Sequence, residues 1–132
     1  MIGQRRPKLT AAAERAAYAA ATRRDQGRCQ RCGRAGIVER DHRQNRTPFN
    51  TTPANLQCLC RACHQWKTEH PRDAREQGYA LSRYDDPATA LAYRIGYGWV
   101  VYYDYPDEHG HWWRVATTDE VGMRRSDLVQ DR

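Results

Sequence analysis

Cys29-Gln-Arg-Cys32 and Cys60-Arg-Ala-Cys63 are the residues of this 132-residue chain whose spacing most narrowly limits their chemistry. A CxxC turn aims two sulfurs at one point, and two such turns complete a tetrahedral shell of four thiolates, a closed structural zinc site. A redox CxxC would open a helix in a thioredoxin-like βαβ unit, and the sequence shows no such pattern. Disulfides fit poorly with a reducing compartment, so zinc is the expected occupant. Cys58, the fifth cysteine, is also close enough to pair with Cys60, but it reads as a small buried apolar residue outside the knuckle. Between the two pairs stand Asp41-His42, followed by Asn55 and then by His64 directly after Cys63. Singly, each reads as an ordinary surface, loop or helix residue. Together they place a carboxylate, an amide and two imidazoles on one frame pinned by the sulfurs.

The elements that must position these groups are short. Thr10 can cap a helix running to about Arg24, with Gly27 as its stop. Its alanine-rich composition suits either a solvated helix or one that serves as an outer support or a DNA-facing strut. Residues 28–35 form a Gly-containing knuckle. Residues 36–43 read as a strand anchored by Ile37 and Val38, and residues 44–54, rich in Asn, Thr and Pro, form a loop. Residues 56–60 alternate as a second strand, and residues 61–70 suit a helix stopped by Pro71. On this frame His64 can face the end of the first strand. Asp41 and His42, adjacent on a strand, point to opposite sides unless a twist or bulge brings them together. Beyond Pro71, residues 72–83 read as a short helix broken near Gly78, and Asp86-Pro87 as the start of a helix over 87–95. Residues 98–104 and 111–115 read as a β-hairpin, and 119–132 as a loosely held terminus. The hairpin's aromatic residues suit either base stacking or packing, and its net acidic surroundings favour packing. The expected fold class is therefore α+β, in three parts: a basic N-terminal helix (1–27), a zinc-stapled module (28–71) and a C-terminal extension with an aromatic hairpin (72–132).

The run ERDHRQNRTPFNTTPANLQCLCRACHQWKTEH (39–70), preceded by CQRC, resembles the HNH endonuclease family with its ββα-metal fold. It is similar in particular to the small HNH endonucleases of bacteriophages. The likeness spans about residues 23–70, and DH, NL, CxxCH and KT occur in the family's order. The chain departs from the common pattern after His42, where Arg43 follows and the proline comes only at position 48. The resemblance implies a catalytic set of Asp41, His42, Asn55 and His64. Asp41 and His64 would hold one catalytic Mg²⁺ or Mn²⁺, His42 would be the general base that activates water, and Asn55 would brace the loop. Cleavage would leave 5′-phosphate and 3′-hydroxyl ends. Arg40, Arg43, Arg46 and Lys67 would contact DNA phosphates. A role in phage genome processing, beside a terminase or other packaging proteins, is also implied.

The formal net charge is +6 and is unevenly spread, with seven basic against two acidic residues in 1–28 but eight against eleven in 71–132. The basic part coincides with the Cys/His part, as a phosphate-facing surface requires. No apolar stretch is long enough to span a membrane, and no secretory leader is legible. The expected compartment is the cytoplasm, the host's if the chain is phage-encoded. Two other function classes fit: a zinc-ribbon DNA-binding module without catalysis, which has no need of Asp41, His42 or His64, and an adaptor that docks a partner through the aromatic hairpin.

Overall fold

The computed structural model describes residues 7–130. Residues 1–6 of the expected basic N-terminal segment, and residues 131–132, lie outside the described residues. The chain is a small mixed α+β domain built on two sheets. Helix α1 (Ala11–Asp25) starts as the sequence dictates, with Thr10 Oγ1 accepting from the Ala13 N–H at 3.0 Å. It ends through two left-handed residues, Gln26 (φ 55°) and Gly27 (φ 63°). Alanine lets this helix lie close to its neighbour, and Ala17 and Ala21 pack on Leu56 with Tyr18 at the margin. One face of α1 is therefore an inner support rather than solvated surface.

Strands β1 (Glu39–His42) and β2 (Leu56–Leu59) pair antiparallel, with Asp41 opposite Gln57 and Glu39 opposite Leu59. Helix α2 (Arg61–Glu69) follows Cys60 directly, and α3 (Pro71–Glu76) opens at the proline expected to stop it. Proline lacks an N–H and suits a helix's first position, so Pro71 ends one helix and begins the next. Gly78 (φ 91°) then turns the chain under Trp99, where a Cβ would run into the indole ring. Strands β3 (Ala92–Arg94), β4 (Gly98–Tyr102) and β5 (Trp113–Val115) form a second antiparallel sheet in the order β3-β4-β5, and α4 (Thr118–Gln130) closes the described chain.

Four expectations need correction. The first strand begins at Glu39, and Ile37, expected as its apolar anchor, is 96% exposed. Residues 87–95 are not a helix: Asp86 caps a single turn, and β3 follows because its backbone pairs with β4. The hairpin is real but has a third strand. The terminus from residue 119 is largely helical, anchored by Arg114 on Glu120 and by Arg124 on the Arg75 carbonyl.

Large aliphatic side chains are few, and the hydrophobic core is split into small clusters, one at the cysteines, one under α1 and one around Ala54, Ala92, Val100 and Tyr102. Buried polar groups join them. Asp25 accepts from Arg24 and from Arg94 Nη1 (2.6 Å), and its other oxygen accepts from the Cys58 backbone N–H at 3.0 Å. Arg24 also donates to the Leu56 carbonyl at 2.6 Å. This cluster fastens α1, β2 and β3 to one another. Among the described residues, no helix is long and apolar enough to cross a membrane.

Candidate metal centre and cleft

The 28–35 knuckle, closed by a bridge between Arg28 and Ala35 and tied to β2 by the Gln30 N–H on the Cys58 carbonyl, meets the start of α2 at the first site. The sulfurs of Cys29, Cys32, Cys60 and Cys63 all lie within 4.8 Å of one another, and those of Cys32 and Cys60 are 3.7 Å apart. A tetrahedron with Zn–S bonds of about 2.3 Å has edges of about 3.8 Å, so the four sulfurs fit a metal such as zinc. Burial pushes the Cys29 thiol up, but backbone N–H groups of Cys32, Cys60 and Arg31 outweigh it and bring it down to about 7. Arg31 Nη1 approaches the Cys63 sulfur at 3.5 Å, and its guanidinium lies over the Trp66 ring. Trp66 is a packing residue, as its place inside the helix suggests, with Tyr79 edge-on to it. Cys58 stands apart from the cluster. It is fully buried beneath α1, and burial pushes its thiol up to about 12.

His64 occupies the first turn of α2, immediately after Cys63, so the cysteine cluster sets its position. Its Nδ1 is bonded to a Glu39 carboxylate oxygen, and its Nε2 lies 3.4 Å from Asp41 Oδ1. Two cis ligands on an octahedral cation with bonds of about 2.1 Å are about 3 Å apart. The Asp41–His64 pair therefore fits one hard cation with little adjustment. Glu39 does for His64 what carboxylates commonly do for metal-binding imidazoles: it fixes the tautomer and turns the other nitrogen outward. Sequence reasoning missed Glu39. Its signal was the period-two alternation of a strand, which puts residues 39 and 41 on one face.

Asp41 and His42 point differently, yet both line one open cleft of about 660 Å³, together with Arg40, Arg46, His64 and Lys67. His42 is half-buried, with Nε2 2.9 Å from Thr51 Oγ1 and its ring edge-on to Tyr18. Burial holds its imidazole below the usual range, and Arg46 and Lys67 act in the same direction against Asp41. Asn55 is fully buried at the base of the 44–54 loop. Its Oδ1 accepts from the Gln44 N–H at 2.9 Å and its Nδ2 donates to the Asn50 carbonyl at 2.9 Å, so its amide holds the start and the middle of the loop.

The expected phosphate contacts separate into three kinds. Arg40 lies over the Tyr18 ring at 5.3 Å and Arg46 reaches Glu14 at 3.2 Å, and both stay at the surface. Arg43 is not a DNA contact. It is 1% exposed, and its guanidinium donates to the carbonyls of Ala54, Pro87, Ala90 and Leu91. The alternation that exposes Arg40 turns Arg43 inward, where the extension's 87–91 turn receives it. Lys67 is mostly covered, with Nζ 2.7 Å from Asp41 Oδ2 and 2.8 Å from the His42 carbonyl. It braces the cleft floor rather than reaching into open solvent. The chain matches no family model, no curated protein and no solved structure, so any functional reading rests on these residues themselves.

Proposed function

We propose that this protein is a metal-dependent endonuclease of the HNH type that hydrolyses DNA phosphodiester bonds, with zinc held by Cys29, Cys32, Cys60 and Cys63 as its structural staple. The observation that carries this reading is the 3.4 Å approach of Asp41 Oδ1 and His64 Nε2 in a cleft that His42 also lines. Mg²⁺ or Mn²⁺ held by these two residues would supply charge stabilisation at a phosphate oxygen and at the leaving oxygen. His42 supplies the base. Burial holds its imidazole below the usual range, which favours the neutral form that can take the proton from the attacking water. Arg40 and Arg46 hold the flanking phosphates, and Asn55 keeps the loop behind His42 closed. The zinc frame keeps β1 and α2 at a fixed separation, on which the Asp41–His64 geometry depends.

The second reading, a zinc-ribbon DNA-binding module without catalysis, is favoured by one observation: Asp41 already has an internal cation, Lys67, at 2.7 Å. One experiment separates the two. Supercoiled plasmid is incubated with zinc-loaded protein and Mg²⁺, Mn²⁺ or no added metal, beside His42→Ala and His64→Ala. The nuclease reading expects metal-dependent nicking that both variants lose while keeping their zinc. Undiminished cutting by His42→Ala removes that residue from the mechanism, and DNA binding without cutting in either metal supports the ribbon.

A further inference from the structure

Asp41 is unusual in that its two carboxylate oxygens have separate tasks. Oδ2 accepts from Lys67 Nζ at 2.7 Å and from Gln57 Nε2 at 2.9 Å. Oδ1 is the oxygen next to His64 Nε2. Both donors are themselves fixed. Gln57 is fully buried, stands directly opposite Asp41 in the β1–β2 register, and donates a second bond to the Tyr79 carbonyl at 2.7 Å. Lys67 stands one helical turn beyond His64 and is held by the His42 carbonyl. Neither donor can follow a carboxylate that swings round to offer both oxygens.

We propose that Lys67 and Gln57 form a clamp that restricts Asp41 to one-oxygen ligation, so that the cleft takes Mg²⁺ or Mn²⁺ in preference to Ca²⁺. This rests on the metal-site reading above and deepens it. Ca²⁺ takes six to eight oxygen ligands and often uses both oxygens of a carboxylate, whereas Mg²⁺ is content with one or two carboxylates and keeps several waters. A clamped Asp41 withholds the second oxygen that would favour the larger ion. The ammonium of Lys67 also repels any cation bound nearby, so the site holds its ion weakly until substrate phosphate adds negative charge. Lys67 is then a positioning residue for Asp41 and not primarily a DNA contact.

The test needs no DNA. Mn²⁺ and Ca²⁺ affinities of the zinc-loaded full chain are measured by Mn²⁺ paramagnetic resonance with Ca²⁺ competition, for wild type, Lys67→Met, Lys67→Gln and His64→Ala. Zinc content and thermal unfolding are recorded for each. In the lysine variants both ions are expected to bind more tightly, with Ca²⁺ gaining more, so that the Mn²⁺/Ca²⁺ preference shrinks by roughly fivefold or more. Lys67→Gln gives the same reading should Lys67→Met lose its zinc. An unchanged preference in a folded lysine variant overturns the clamp. So do cation affinities that are the same in both lysine variants as in wild type, which would leave Lys67 without influence on the bound ion. Wild-type protein that binds no Mn²⁺ sensitive to His64→Ala overturns the metal-site reading and the clamp together, an outcome distinct from either of those.

Discussion

Replacing Asp25 by Asn tests how a chain so poor in large aliphatics stays folded. The carboxylate is 2% exposed, and it accepts from two guanidiniums and one backbone N–H. Asparagine keeps the shape but removes the charge, and its amide presents N–H groups where Arg24, Arg94 or Cys58 requires an acceptor. Arg24 and Arg94, each 7% exposed, are then left facing one another without a counter-ion. Removing one partner of a buried pair costs about 3–5 kcal/mol, against a total stability of about 5–15 kcal/mol for a domain. For a domain of this size the corresponding fall in Tm is on the order of 10 °C or more. Urea and thermal denaturation of zinc-loaded protein measure it, with Arg46→Gln as control because its pair with Glu14 is exposed. The control should shift stability by less than about 0.5 kcal/mol. The same carboxylate sets a pH dependence. Burial alone would raise its pKa, but Arg24, the Cys58 N–H and Arg94 outweigh burial and hold it below the ordinary 3.8. A folded-state value below the unfolded one means that the contribution is present above pH 4 and is lost as pH falls through the folded value. A fall in Tm of less than about 3 °C for Asp25→Asn, or an acid transition that does not differ between variant and wild type, would refute this account of the core.

Cys29→Ser should lose zinc and unfold, because zinc binding can contribute on the order of 10 kcal/mol to the folding of small metallodomains. Cys58→Ala should keep full zinc content by a colorimetric zinc assay. Glu39→Gln should weaken Mn²⁺ binding by about 10–100-fold without changing zinc content, since it frees the His64 ring. Arg40→Ala and Arg46→Ala should each lower the slope of log K against log salt for DNA binding by about one. Arg43→Met, by contrast, should leave that slope unchanged in whatever fraction stays folded and should lower the denaturation midpoint.

The cysteine cluster and the strand–loop–strand–helix order were legible because each depends on local spacing. CxxC turns, an Asn/Thr/Pro loop and a proline after α2 act within a few residues of themselves. What was not legible depends on partners distant in sequence. Residues 87–95 carry a helix-start signal at Asp86-Pro87, yet Ala92–Arg94 are a strand because β4 supplies the hydrogen bonds. Arg43 reads as one more basic residue beside the site, and it takes the carbonyls of Ala54 and of residues 87–91 to make it a buried one. Glu39 and Gln57 escaped notice for a related reason: neither carries a motif, and their roles follow from facing His64 and Asp41 in three dimensions.

The extension is not mere decoration of the zinc-stapled part, and the pattern of contacts says why. The two residues that follow Asp41-His42 are both held from beyond Pro71. Arg43 is gripped by the 87–91 turn and its carbonyl accepts from the Leu81 N–H at 2.8 Å, while Gln44 donates to the Ser82 and Asp85 carbonyls. Gln57, which touches Asp41, is braced by the Tyr79 carbonyl. A four-residue strand pair with one zinc staple fixes its base but leaves its open end, where Asp41 and His42 stand, free to fray. Buried hydrogen bonds from residues 79–91 close that end, and a guanidinium can bind several carbonyls at once where a hydrophobic side chain would bind none. The burial of Arg43 is thus the cost of rigidity at the cleft: desolvation drives its pKa down to about 10, and the carbonyls that surround it hold the end of β1 where Asp41 can meet His64.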